Sequence, residues 1–376
     1  MEFERVSLRR QPNFVKGHGA PLGNPRRILL IQLGDIGDVV LSTPCIRALR
    51  DTFPNARLVV AVREKAAELL VDSSWLDDVI EVRKGKLALF GEPISQIDFV
   101  LALRRFSFDL VIDLRTGTRG AIMAKISGAS RRIGFFAENE TWWRNALFTD
   151  LLSFEYTSEL YVADYLLVLL EAYGVCASHR NPKIEVSLSR QAEAKQLLAA
   201  FSIGSNGIVV LQPFSLWRYK EWGTEKYIGL IRWLVKKWKV VVLIVGNSAE
   251  QQRAATIVEA CGDGCHNLAG KTSLSLYAAI LKESRLFVGV DSAGLHMAAA
   301  VGTPTVGIFG PSSSSSWGPR GPAHVVVKNN SLHCVPCREK GCADSEFSRC
   351  LDELLLDNVV KDVNNQLVAS VNLYCC

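Results

Sequence analysis

The stretch "LFVGVDSAGLHMAAAVGTPTVGIFGPSS", Leu286 to Ser313, decides how the chain folds. An apolar run ends at Asp291, three small residues (Ser292, Ala293, Gly294) turn the chain, a helical pattern follows, and a second strand runs from Pro304 to Phe309. Near-continuous Val, Ile and Leu, without polar alternation, mark strands buried on both faces of a parallel sheet. Free N–H groups at the helix start, with the helix dipole, make a site for a phosphate or pyrophosphate. Ser292 is placed to cap that helix and offer a hydroxyl. Taken alone, the segment is equally an ordinary βαβ unit with a capped helix.

The same alternation spreads outward. The second half adds "GIVVLQP", "KVVVLIVG" and "HVVVKN"; the first half holds "RRILLIQ", "ARLVVAV", "DVIEVR", "FDLVIDL" and "RRIGF". Two successive sets of βα units predict an α/β protein of two Rossmann-like, doubly wound domains, with ligands beyond the carboxyl ends of the strands and in a cleft between the domains. On this pattern the chain divides into a flexible tail (1–24), an N-terminal domain (25–190), a C-terminal domain (191–345) and a helical segment (346–376) able to return to the first domain. "PSSSSSWGPRGP" (Pro311 to Pro322) reads as a mobile loop after a strand.

Composition fits. A chain of 376 residues, 48% apolar and 22% charged, suits two soluble domains of ordinary size. No apolar run approaches the ~18 residues of a membrane span, and the first 24 residues lack the apolar core of a signal peptide, so a cytosolic location is expected. Net charge is +5, shared evenly: residues 1–190 carry 25 basic and 23 acidic side chains, the rest 18 and 15. A nucleic-acid binder usually shows a larger and more lopsided excess, so no nucleic-acid partner is expected. Between Asp113 and Glu138 lie no carboxylates but Arg115, Arg119, Lys125, Arg131 and Arg132, a patch for an anionic partner or, on charge alone, a solvated basic face.

Further positions in the C-terminal half carry ligand chemistry. In "PFSLWRYKEWGTEKYIGLIRWL", Ser215 follows a strand and Lys220 precedes a helix, so a hydroxyl and a cation can reach the same phosphates. In "VGNSAEQQR", Glu250 stands past the next strand, where Rossmann-type folds grip ribose hydroxyls with an acid. In "ILLIQLGDIGDVVLSTPCIRALR", Ile28 to Arg50, each loop glycine is followed by an aspartate, Asp35 and Asp38, where a phosphate would otherwise sit. Cys334, Cys337, Cys342 and Cys350 lie close enough in "CVPCREKGCADSEFSRC" for zinc or an iron–sulfur cluster, the alternative being reduced thiols packed under the loop. The terminal Cys375 and Cys376 form no prenylation signal.

"GDIGDVVLSTPCIRALR", "KEW" and "DSAGLHMAAAVGTPTVGIFGPSS" together resemble the ADP-heptose:lipopolysaccharide heptosyltransferases of glycosyltransferase family 9, and the likeness runs from about Ile28 to the C-terminal helices. The resemblance implies a GT-B fold and inverting, metal-independent and cofactor-free transfer of L-glycero-D-manno-heptose from ADP-heptose to the lipopolysaccharide inner core. It implies that Asp38 is the base that deprotonates the acceptor, with Asp35 the competitor for that role or an acceptor contact. It makes Lys220 the phosphate-binding lysine, Glu250 the acid on the ribose and Thr272 the residue beside the adenine. It also places Asp291 and His296 near the donor's phosphates and sugar. Where many relatives read Asp-Ser-Gly or Asp-Thr-Gly, Ala293 here precedes Gly294. His296 taken alone reads as a core histidine, and only its register gives it a role. Arg115 and Arg119 are candidates for phosphate or Kdo carboxylate groups of a lipid A-Kdo-type acceptor, which implies peripheral contact with the inner face of the bacterial inner membrane. Rival readings are a transferase of the same fold with another nucleotide sugar or acceptor, and a non-catalytic nucleotide-sugar-binding protein. No G-x-G-x-x-G follows a strand, which argues against a nicotinamide-dependent dehydrogenase.

Overall fold

The computed structural model describes residues 12–83, 87–89, 92–94, 96–138, 142–201 and 203–374. They form two compact units, one drawn from Met1–Thr157 and Val162–Arg180, the other from Ser158–Tyr161 and Asn181–Cys376.

The first unit contains β1 (Asn13–Val15), β2 (Arg27–Gln32), β3 (Arg57–Arg63), β4 (Asp78–Val82), an antiparallel hairpin of β5 (Leu87–Leu89) and β6 (Glu92–Ile94), β7 (Leu110–Asp113), β8 (Arg131–Phe135) and β9 (Asp150–Leu152). Apart from the hairpin these strands make one parallel sheet in the order β1-β9-β8-β7-β2-β3-β4. Ile28 to Ile31 on the central β2 are completely buried, which is why this strand reads as an unbroken apolar run. Leu29, Ile31, Val59 and Val111 join Phe99, Ala121 and Phe148 in one face of the core.

The second unit repeats the plan with β10 (Ile208–Gln212), β11 (Val241–Ile244), β12 (Cys265–Asn267), β13 (Leu286–Val290), β14 (Thr305–Phe309) and β15 (His324–Lys328), all parallel, in the order β12-β11-β10-β13-β14-β15. In each unit the chain steps outward over two strands, returns, and fills the other side. The strand order therefore reverses between β2 and β7 in the first unit and between β10 and β13 in the second. Those reversals open the crevice in which doubly wound sheets bind their ligands.

Three expectations need correction. Residues 1–24 were expected as a flexible tail, but Asn13–Val15 pair with Asp150–Leu152, and Arg131 donates to the carbonyls of Ala20 and Pro21. A three-residue strand carries too little pattern to be read from sequence; residues 1–11 lie outside the described residues. The units change over at Arg180 and Asn181 rather than near 190, because helix Leu188–Leu198 packs on helix Leu274–Lys282 of the second sheet. The helices of segment 346–376 belong to the second unit: Val359, Val363 and Leu367 of helix Leu356–Tyr374 are buried with Val209, Val242 and Val306.

Candidate functional site

At the reversal in the first unit, β2 runs out at Gln32 and the loop Leu33–Asp35 leads into a helix, Ile36–Leu41. Asp35 is the N-cap, and the carboxylate of Asp38 folds back to accept the Asp35 N–H at 2.8 Å. The other partner of Asp38 comes from beyond β7: Arg115 Nη1 stands 3.0 Å from the same Oδ2. Gly34 is required here, since a Cβ at this position would lie 2.4 Å from Asp38 Oδ2 and 2.7 Å from Arg115 Nη1. The Gln32 side chain accepts the Gly34 N–H at 3.1 Å and fixes the turn from below. The Asp38 side chain is 19% exposed, enough to meet a substrate. Asp35 points elsewhere, to Arg63 Nη1 at 2.7 Å in an exposed pair, and Arg119 donates to the carbonyl of Arg83.

At the reversal in the second unit, Asp291 follows β13 and Lys220 lies on the long connection after β10. Their Nζ···Oδ2 distance is 2.7 Å, with Asp291 5% and Lys220 23% exposed. Burial disfavours the Asp291 carboxylate, but the charges of Lys220 and then His296, with hydrogen bonds from Lys220 and Ser312, outweigh it and hold its pKa below the ordinary value. His296 Nε2 is 3.8 Å from Asp291 Oδ1, beyond hydrogen-bond reach but close enough for attraction when protonated. The loop bearing Lys220 is pinned from both sides. Glu221 accepts the Ser215 N–H and pairs with Arg253, while the completely buried Trp222 donates to the Leu354 carbonyl and meets Tyr227 edge-on.

Helix Ala293–Ala300 begins directly behind Asp291. Ser292 is its N-cap residue, but contrary to expectation its hydroxyl makes no capping bond; the oxygen is buried without a hydrogen-bond partner. Ser292 has an extended backbone and its carbonyl takes the Leu295 N–H at 3.2 Å, while its side chain caps none of the first-turn N–H groups, so those of Ala293 and Gly294 are left to another acceptor. Gly294 is as constrained as Gly34: a Cβ would fall 1.8 Å from Gln212 Oε1 and 2.6 Å from the Tyr277 hydroxyl, which bond each other at 3.1 Å.

Of the remaining candidates, Ser215 and Glu250 have partners of their own. The Ser215 hydroxyl accepts the Trp217 N–H. Glu250 spends one carboxylate oxygen on the Asn247 N–H at 2.7 Å, and burial pushes its pKa up against that bond. Thr272 is half-buried in a bend past β12. Cys334, Cys337, Cys342 and Cys350 are all free thiols, and among the described residues no three His, Cys, Asp or Glu side chains converge as metal ligands.

Sequence reading missed Gln32, Gln212, Tyr277 and Ser312, and also the buried Asp113 and Arg144. Gln32 and Gln212 had a signal: each is the polar last residue of an apolar central strand, in "ILLIQ" and "IVVLQ".

The model of glycosyltransferase family 9 (heptosyltransferase) matches residues 97–347. Among curated proteins, lipopolysaccharide heptosyltransferase 3 of Escherichia coli is 26% identical over 291 residues, covering 75% of this chain and 83% of the relative. Lipooligosaccharide heptosyltransferase 2 of Haemophilus ducreyi is 25% identical over 356 residues, covering 91% and 99%. In fold, the chain is similar to the family 9 glycosyltransferase of Veillonella parvula (TM-score 0.78, 19% identity, 92% and 98% covered). It is also similar to the Escherichia coli ADP-heptose heptosyltransferase II (TM-score 0.73, 21% identity, 91% and 99% covered). Two Rossmann-like sheets of the GT-B class, each with a charged cluster at its strand-order reversal, therefore go with a family match spanning most of the chain: the protein belongs to glycosyltransferase family 9, the heptosyltransferases.

Proposed function

We propose that the chain transfers L-glycero-D-manno-heptose from ADP-heptose to the inner core of lipopolysaccharide, inverting the anomeric centre without a metal. The observation that carries this reading is the division of charge between the two strand-order reversals: a part-exposed carboxylate, Asp38, in one unit, and a lysine beside a helix N-terminus, Lys220, in the other. A carboxylate within reach of solvent is a proton acceptor, and a lysine with free N–H groups is an anion site. The curated relatives, named as lipopolysaccharide and lipooligosaccharide heptosyltransferases, support the donor sugar and the acceptor class.

In the mechanism, Asp38 takes the proton of the acceptor hydroxyl, whose oxygen attacks the heptose anomeric carbon from the face opposite ADP. The C–O bond to the diphosphate breaks, and Lys220 with the N–H groups at the start of helix Ala293–Ala300 stabilises the charge gathering on the departing phosphate. This takes the place of the divalent cation. Asp291 and His296 lie beside the phosphates and sugar, and Ser215 adds a hydroxyl; Glu250 holds the ribose and Thr272 flanks the adenine. Arg115, Arg119 and Asp35 face an acceptor of the lipid A-Kdo type, carried on the inner face of the inner membrane. Among the described residues no helix is long and apolar enough to cross a membrane, so contact with the lipid is peripheral in this reading.

Calorimetry with ADP, ADP-heptose, UDP-glucose and NADH tests the donor, and ADP release with a Kdo-lipid A acceptor tests transfer. Binding of ADP and ADP-heptose together with acceptor-dependent ADP release is expected. Preference for UDP-glucose overturns the donor, and donor binding without turnover favours a nucleotide-sugar-binding protein.

A further inference from the structure

The deepest charged group in the first unit is outside the mechanism above. Asp113, the last residue of β7, is 1% exposed, and Arg144 is completely buried beside it. Their closest approach, Arg144 Nη2 to Asp113 Oδ2, is 4.0 Å, which is an ion pair but too long for a hydrogen bond. Both instead hold the main chain of one residue. Asp113 Oδ1 accepts the Arg115 N–H at 3.1 Å, and Arg144 Nη2 donates to the Arg115 carbonyl at 2.9 Å. Arg144 Nη1 continues to the Phe135 carbonyl at the end of β8 and to Asn145 Oδ1, and its guanidinium lies over the Phe148 ring at 4.5 Å. The frame is closely fitted, since a Cβ on Gly120 would stand 2.3 Å from Asp113 Oδ2.

Burying two charges is costly, and a sheet needs neither of them to stay closed. What they fix is Arg115, whose N–H and C=O are each held from a different element while its guanidinium reaches Asp38. We propose that Asp113 and Arg144 are positioning residues for transfer: they clamp the backbone of Arg115 so that its side chain orients the Asp38 carboxylate toward the acceptor hydroxyl. This rests on Asp38 being the base. Neither residue touches substrate. Asp113 acts through one hydrogen bond from the Arg115 N–H, and Arg144 through the Arg115 carbonyl in the next peptide unit, on the other side of the same Cα.

The test is a double-mutant cycle on acceptor-dependent ADP release, run with thermal unfolding. Asp113→Val removes the Arg115 N–H acceptor at nearly the same volume, and Asp113→Asn, which keeps a side-chain carbonyl, serves as partial rescue. The valine variant is expected to lower kcat about tenfold, or about 1.4 kcal/mol of barrier, with the donor KM unchanged. In an Arg115→Met background the same change should cost under about twofold, because the route to Asp38 is already cut. A purely structural Asp113 would lower kcat by the same factor in both backgrounds, and that result overturns the proposal. If Asp113→Val does not fold, Arg144→Lys, which loses the fork that reaches Phe135 and Arg115 together, takes its place in the cycle with the same two outcomes. Full turnover by Asp38→Asn would instead sink the assignment of the base, and the clamp with it. Loss of turnover in Asp38→Asn with additive Asp113 and Arg115 effects would sink the clamp alone.

Discussion

Replacing Lys220 with methionine tests the second cluster most directly. The variant keeps the aliphatic stem and strands the Asp291 carboxylate, which is 5% exposed, without its 2.7 Å partner. Breaking a buried pair by removing one member costs about 3–5 kcal/mol. Because the Lys220 side chain is 23% exposed, water can replace part of its effect, and the low end, about 3 kcal/mol, applies. For a unit of this size that corresponds to a fall in melting temperature of about 6–12 °C at neutral pH. The pH dependence has a definite sign. In the native protein the Asp291 pKa is depressed, so its contribution is present above the unfolded carboxylate value of about 4 and is lost as pH falls through the lower folded value. In Lys220→Met burial is no longer opposed by the lysine and the pKa rises, so the folded form takes up a proton first and stability returns as pH falls. The gap between the two proteins should therefore be wide at pH 8 and narrow at pH 5. The double variant Lys220→Met/Asp291→Asn, with no stranded charge, should recover most of the loss. Calorimetry adds a second readout: loss of a charge-assisted hydrogen bond of about 1.5–3 kcal/mol weakens ADP by roughly one to two orders of magnitude. A Lys220→Met protein that melts like the parent at pH 8 and binds ADP equally well would refute both the pairing and the phosphate role.

Asp38→Asn should cut acceptor-dependent ADP release by about 10²–10⁴ while leaving ADP affinity and thermal stability nearly unchanged, because the Arg115 partner is half in solvent; a comparable loss of ADP binding would argue against a base on the acceptor side. Gly294→Ala places a methyl 1.8 Å from Gln212 Oε1, so the Gln212–Tyr277 bond or the helix start must move, and ADP affinity in calorimetry is expected to fall at least tenfold. Unaltered affinity would place the anion site elsewhere. Burial pushes the Asp113 pKa up to about 7 against the Arg115 N–H bond and the charges of Arg144 and Arg115. A raised folded value means that stability falls as pH rises from about 4 to about 7 and then levels off. Asp113→Asn should flatten that segment of a melting-temperature profile, and an identical slope in both proteins would contradict the shift.

What could be read in the sequence follows from how each feature is written there. Strands buried on both faces leave unbroken runs of Val, Ile and Leu, so β2, β3, β10, β11, β13 and β14 announced themselves and with them both doubly wound units. Short strands at or next to a sheet edge leave no such run: β1, β9 and β12 have three residues each and are held by neighbours rather than by their own pattern. The Lys220–Asp291 pair was foreseen as two separate residues at strand ends, but 71 positions part them, and only the strand order, with β13 placed beside β10, brings them together. The same logic hid the Asp113–Arg144 frame. Asp113 ended an apparent strand and Arg144 sat among tryptophans in "TWWRNALF", so neither stood out from ordinary surface charge. Their burial is a property of topology: the β7 end faces the β2 loop across the strand-order reversal, and Arg144 packs below the β8 end. Position at the carboxyl end of a central strand was therefore a better guide to chemistry than residue type. It drew attention to Asp38, Lys220 and Asp291, which lie in the charged clusters at the two strand-order reversals, and it would have added Gln32, Gln212 and Asp113 had it been applied to every central strand alike.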